Sequence, residues 1–258
     1  MLTEALVALL AAAVVMGSTA AVSKRRDRVA DVDVAWGLSF VAIAIVLALV
    51  WPDVHSWLLA LLVVVWGGRL ATHIARRSRG HGEDPRYEKM LGGPGWHAGA
   101  GKVLLRVFGT QALVSWIISF PLVVGAAHDV RWWPVVWVGV VVWATGLFFE
   151  VAGDAQLEAY KAKPRESRPK ILDTGLWAWT RHPNYFGDAC VWWGLWVAGA
   201  LSLGWVPGLA TIFAPAAMTF FIRNVTGARL LEKTMSQREG WAEYAERVPL
   251  FFPRPPRR

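Results

Sequence analysis

The stretch TRHPNYFGDA, Thr180–Ala189, concentrates Arg181, His182, Asn184, Tyr185 and Asp188 just ahead of a tryptophan-rich apolar run. Pro183 suits the first turn of a helix, where its missing N–H costs nothing. Asn184 and Asp188 then stand at i and i+4 on one face. A helix N-terminus offers unpaired N–H groups to anions, and Arg181 and His182 stand directly before it. The spacing describes a cradle for a phosphate or carboxylate, with Asn184 and Asp188 left to bind amide or hydroxyl groups. A juxtamembrane anchor would explain Arg181 and Tyr185 but not Asn184 or Asp188.

Other polar groups sit where an apolar chain would not place them for solubility. Glu150, Asp154 and Glu158 in FFEVAGDAQLE form one acidic stripe at i, i+4 and i+8. They close a helix, where the helix dipole disfavours acids, and that cost suggests a binding role. In DVDVAWG, Asp31 reads as an interfacial or capping acid, while Asp33 lies deeper, with Trp36 and Gly37 on its face. The segment RRSRGHGEDPRYEKM holds Glu83, Asp84, Arg86 and Tyr87 beside the loosening Gly80 and Gly82. It reads either as a solvated loop or as a lid carrying a cationic arm and an acid. In the tail, Arg223 and Asn224 end an apolar run, and Glu232, Tyr244 and Arg247 lie on an amphipathic segment suited to resting on a membrane face.

Several chemistries have no signature. GAGKV lacks the upstream Gly of a phosphate-binding loop, because Trp96 occupies that place, and it lacks the following Ser or Thr. No GxGxxG follows a strand, and HExxH and CxxC are absent, so no metal site is expected. Cys190 is the one cysteine, which excludes an intramolecular disulfide.

The elements that must position these groups are membrane helices. The chain of 258 residues is 55% hydrophobic, with the apolar residues in runs rather than alternating stripes. These runs predict an all-α, polytopic helix bundle in a single membrane domain, with spans at 3–22, 33–51, 56–74, 104–126, 133–153, 187–204 and 206–222. The division near Gly204–Pro207 could instead mark one broken or re-entrant segment. Of the 27 Lys and Arg, only Arg131 lies outside one alternate set of connections: the turn after the first span, the loops 75–103 and 155–186 with their flanks, and the tail 223–258. That asymmetry places the N-terminus outside and the C-terminus in the cytosol. It also accounts for the net charge of +8 through topology and attraction to anionic lipid, without nucleic acid. The first apolar run is followed, not preceded, by its basic cluster, and so reads as an anchor rather than a removable signal.

With these residues assembled, the chain resembles the DUF1295 family of bacterial membrane proteins, which is similar to the C-terminal domain of steroid 5-alpha reductases. The resemblance rests on VDVAWG, RGHGEDPRYEKM, DTGLWAWTRHPNYFGD, TGARLLEKTM and YAERVPLFFP. It implies a seven-span, NADPH-dependent reductase of an enone double bond in a bacterial inner membrane, taking an apolar substrate from the bilayer. Under it, Glu150 and Asp154 match the reductases' i, i+4 polar pair. Pro183–Asp188 matches a cofactor-binding PNYxGE element, with Asp188 in place of Glu. Lys163, Arg165, Arg168 and Lys170 are the candidates for the cofactor phosphates. Arg181, His182, Asn184, Tyr185, Arg223, Glu232 and Tyr244 complete the expected cofactor set. The reductases' C-terminal His and Tyr pair has no match in LLEKTM. Asp33 and Tyr87 stand in for their catalytic Glu and Tyr on chemistry and position. RHPxYxG, carried by Arg181, His182, Pro183, Tyr185 and Gly187, also resembles an element of isoprenylcysteine carboxyl and phospholipid methyltransferases, which implies S-adenosylmethionine. Their downstream Glu-Glu is here Glu232–Lys233. A non-catalytic lipid-binding protein is the third reading.

Overall fold

The computed structural model describes residues 1–256; Arg257 and Arg258, two of the tail cations, lie outside the described residues. Among the described residues seven helical stretches are long and apolar enough to cross a membrane, the last two running Pro183–Leu203 and Trp205–Met235 through short interruptions, and there is no strand. The helices are α1 (Leu2–Arg26), α2 (Asp31–Val50), α3 (Val54–Arg77), the short α4 (Pro85–Leu91), α5 (Ala100–Ile118), α6 (Phe120–Ala127), α7 (Trp133–Ala162), α8 (Pro183–Gly199), α9 (Trp205–Thr211), α10 (Phe213–Phe220), α11 (Ala228–Met235) and α12 (Trp241–Arg247).

The spans fall where the apolar runs place them, with four differences, one of them that the seventh span is stepped at Ile212 and runs on to Met235, past the expected end at 222. The fourth expected span is not continuous: α5 stops at Ile118 and α6 starts at Phe120. Pro121 is the reason, since it has no N–H to offer the carbonyl one turn back. α7 is longer than expected. Its 30 residues extend roughly 45 Å, well beyond a hydrocarbon core of about 30 Å, so one end projects past the bilayer. α8 begins at Pro183, one turn before the expected boundary, with the proline in its first turn. The last two spans are separate helices rather than one interrupted segment. A 3-10 turn at Leu201–Leu203 and Gly204, with φ +135°, divide them.

The chain forms two compact units. Unit 1 comprises Met1–Trp133 and Gly199–Thr211. In it α2 packs on α3 through Gly37 and Gly67; a Cβ on Gly37 would lie 2.6 Å from the Gly67 carbonyl oxygen. Such backbone approach is how membrane helices gain contact where lipid removes the hydrophobic drive. Trp116 Nε1 donates to the Ala5 carbonyl at 2.8 Å, tying α5 to α1, and the Ser39 and Ser115 hydroxyls share a buried hydrogen bond of 2.9 Å. Leu2, Leu6, Leu10 and Val14 stay exposed along one stripe of α1, as a lipid-facing surface requires.

Unit 2 comprises Pro134–Ala198 and Ile212–Arg258. Here α7 and α8 approach through glycines spaced by seven: Gly139, Gly146 and Gly153 on one helix, Gly187 and Gly194 on the other. A Cβ on Gly146 would lie 2.5 Å from the Gly187 carbonyl oxygen, and one on Gly194 would lie 2.5 Å from the Trp143 nitrogen. The last span carries a π-helical turn at Phe221–Val225, a form found mostly as single turns and often at functional sites.

Candidate functional site

Unit 1 builds a polar cluster around the start of α2. That helix has no side-chain N-cap of its own. Glu83 supplies one from 54 residues away: its Oε2 accepts from Val29 N at 2.5 Å and its Oε1 from Ala30 N at 2.9 Å. A carboxylate on the open N–H groups of a helix start answers both their hydrogen-bonding need and the helix dipole. Asp84, next in sequence, caps α4 through the Arg86 amide at 2.8 Å, with Pro85 opening the helix. Two adjacent acids thus fix the loop and aim α4.

The result is contact between the two residues expected to carry proton chemistry. The Tyr87 hydroxyl donates to Asp33 Oδ1. Arg86 Nη2 donates to Asp33 Oδ2 at 3.0 Å and to Asp84 Oδ2 at 2.8 Å. Burial, then the nearby Asp33 charge, pushes the Tyr87 phenol far above its ordinary range, so it is a proton-bearing group. The hydrogen bond to Asp84 holds Arg86 charged. That same bond leads in holding the Asp84 carboxyl below the usual range. Arg86 Nη1 carries no hydrogen bond among the described residues, and the side chain is half exposed. The cluster therefore offers a phenol, a carboxyl group and an outward-facing guanidinium donor. That is a suitable set for polarising a carbonyl oxygen.

Unit 2 gathers the expected cofactor residues. The glycine contacts of α7 and α8 bring Asn184 Nδ2 to 3.1 Å from Asp154 Oδ1. Glu150 and Asp154 are buried, at 2% and 8% exposure, whereas Glu158 is exposed, so the acidic stripe is part interior and part surface. Asp188 follows one turn after Asn184 on α8.

The cations before α8 have a different arrangement from an open anion cradle. Arg181 donates through Nε to Glu232 Oε1 at 2.9 Å and through Nη1 to the carbonyls of Ala245 at 2.7 Å and Val248 at 3.0 Å. His182 Nε2 lies 3.0 Å from the same Glu232 oxygen, and its ring stacks on Tyr185 with centroids 5.6 Å apart. The tail is bound along this segment as a strap. Thr180 Oγ1 donates to the Phe251 carbonyl at 3.0 Å, the Arg254 amide to Trp179 at 2.9 Å, and the Tyr244 hydroxyl to Trp177 at 2.7 Å. Burial raises the Tyr244 phenol well above its ordinary range.

Of the loop cations, Lys170 pairs with Glu239, and Arg168 stacks over Tyr160 with 5.1 Å to the ring centre. Lys163 and Arg165 are exposed. Arg223 sits in the π-turn with its Nε buried and without a hydrogen-bond acceptor among the described residues. Leaving a buried guanidinium donor unmet costs about 1–3 kcal/mol, and an anionic ligand would remove that cost. This is the observation that fits a phosphate-bearing cofactor in unit 2.

In the sequence Glu83 reads only as one polar group of a loop, because the amides it caps lie 53 and 54 positions away. The glycines at 139, 146, 153, 187 and 194 were a readable signal, since a seven-residue repeat of small residues marks close helix contact.

No curated protein and no solved structure matches the chain. A family model described as "Protein of unknown function (DUF1295)" matches residues 20–248, which include both polar clusters. By that match, the chain belongs to the DUF1295 family.

Proposed function

We propose that the protein is a membrane-embedded reductase that uses NADPH to reduce a carbon–carbon double bond conjugated to a carbonyl in an apolar, lipid-like substrate. The observation that carries this reading is the Tyr87–Asp33 bond in unit 1, reinforced by Arg86. A tyrosine and an acid 54 positions apart meet in one hydrogen bond, with the phenol donating to the carboxylate. With substrate bound, the Tyr87 hydroxyl turns its proton from Asp33 to the carbonyl oxygen and is reprotonated from solvent. Asp33 holds the phenol and Arg86 in place, and the Arg86 guanidinium stabilises the negative charge that develops on oxygen.

NADPH, when bound, supplies the hydride to the beta carbon. On the protein side, Arg223, Lys163 and Arg165 are the cations suited to its phosphates. Asn184 and Asp154 are suited to orient its amide-bearing ring. Arg181, His182, Glu232 and Tyr244 support that set by holding the tail against the start of α8.

One observation favours a second reading, a methyltransferase using S-adenosylmethionine: the RHP element and Glu232 form a single bonded cluster. The density of cations in unit 2 favours the cofactor with several phosphates.

The test is consumption of NADPH by the purified protein with an enone lipid in mixed micelles. Tyr87→Phe should lower the rate about 10²–10⁴-fold, the range of a lost general acid. An unchanged rate in Tyr87→Phe, or product methylation in place of reduction, would overturn the proposal.

A further inference from the structure

Unit 1 contains a second polar feature that the proposed reaction does not use. A cleft of about 430 Å³ opens where the ends of α1 and α3 meet the start of α2. Arg26, Arg28, Asp31 and Arg79 line one end of it, and Val22 and Leu38 line its apolar side. The cleft is on the other side of α2 from the Tyr87–Asp33 pair. Asp31, Val34, Ala35 and Leu38 share one face, and Asp33 is about 200° round the helix from Asp31.

The charges of the cleft are unbalanced and only partly engaged. Three guanidinium groups face one carboxylate. Arg28 is anchored, with Nη1 donating to Asp31 Oδ1 at 3.3 Å and Nη2 to the Ser78 carbonyl at 3.2 Å. Its Nε is buried with no acceptor among the described residues. Arg26 reaches Asp31 only at 3.7 Å, and its side chain is 68% exposed. Arg79 is exposed as well. On the apolar side Val22 and Leu38 are exposed at 46% and 42%, on helices that span the membrane. A soluble anion would satisfy the cations and leave the apolar wall bare. A neutral lipid would cover the wall and leave the guanidinium groups unmet.

We infer that this cleft is a specific binding site for an anionic phospholipid, with the phosphate among Arg26, Arg28 and Arg79 and an acyl chain along Val22 and Leu38. Clustered arginines recognise the phosphate, and the cationic excess of the cleft provides the selectivity, because a choline head would bring a further positive charge beside the three guanidinium groups; the acyl chain provides the membrane source. This inference does not depend on the reductase reading.

The experiment is thermal unfolding of the full-length protein in a zwitterionic detergent. It would be titrated separately with phosphatidylglycerol, phosphatidylcholine and inorganic phosphate. Saturable stabilisation by phosphatidylglycerol alone is expected. In Arg26→Ala/Arg79→Ala its midpoint should move about tenfold or more to higher lipid. Lys233→Ala/Arg238→Ala, which removes the same charge from exposed positions of the tail, should leave the midpoint in place. Arg28 is left intact because its bonds hold the turn. Equal stabilisation by phosphatidylcholine would overturn the inference, as would a full response to inorganic phosphate or an equal loss in both double variants.

Discussion

Gly146→Ala is the sharpest structural perturbation of the site-bearing helices. The added Cβ would lie 2.5 Å from the Gly187 carbonyl oxygen, 2.6 Å from the Val191 nitrogen and 2.9 Å from Cys190 Cβ. Ordinary contact begins near 3.4 Å, and two of these neighbours are backbone, so α7 and α8 must part by about 1 Å. Overpacking of this kind costs about 1–3 kcal/mol. For a chain of this length that corresponds to a melting temperature lower by roughly 2–12 °C. Gly17→Ala on α1 is the control. Nothing lies within 4 Å of its Cβ, and alanine gains about 0.5–1 kcal/mol over glycine in a helix interior. Gly153→Ala should fall between them, since its nearest atom, Pro183 Cγ, is 3.1 Å away and can shift. The assay is unfolding in detergent followed by circular dichroism. If Gly146→Ala melts with Gly17→Ala, the close α7–α8 contact is refuted, and with it the geometry that brings Asn184 to Asp154.

Glu83→Gln should loosen the turn before α2. The neutral amide has one acceptor oxygen, while Val29 and Ala30 each require one, so hydrogen exchange at those two amides should rise selectively. Glu232→Ala removes the acceptor shared by Arg181 and His182. It should free the tail strap, seen as faster proteolysis after α12 with the spanning helices unaffected. The phenols of Tyr87 and Tyr244 have folded pKa values raised above the unfolded value of about 10. Their contribution to stability is therefore complete below pH 10 and is lost as pH rises beyond it. A spectrophotometric titration should show a step of tyrosine ionisation that coincides with alkaline unfolding, and Tyr87→Phe/Tyr244→Phe should remove it.

The sequence made the membrane architecture legible because long apolar runs have one outcome in a bilayer, helices with every backbone group paired internally. Asp33 and Tyr87 stand out in the sequence as an acid too deep for a cap and a phenol in a dense polar loop, but their contact does not, since 54 positions separate them. The break at Ser119 was missed because the apolar run continues through Pro121, and composition does not register a single absent N–H. The roles of Arg181 and His182 were less legible. Their acceptor, Glu232, lies about 50 positions away, and nothing local distinguishes a cation that binds a ligand from one that holds a strap. The same applies to Glu83, whose partners lie across the chain. The glycine spacing was available but each glycine taken singly reads only as flexibility.

The most direct test of the proposed cofactor site in unit 2 is a binding titration of purified protein with NADPH and S-adenosylmethionine. Tryptophan fluorescence can report both, with 17 tryptophans in the chain. Saturable NADPH binding is expected, weakened about tenfold or more by Arg223→Ala while the protein stays folded, through the loss of one charge-assisted contact to a phosphate. Saturable binding of S-adenosylmethionine with none of NADPH, or NADPH binding unchanged in Arg223→Ala, would contradict it.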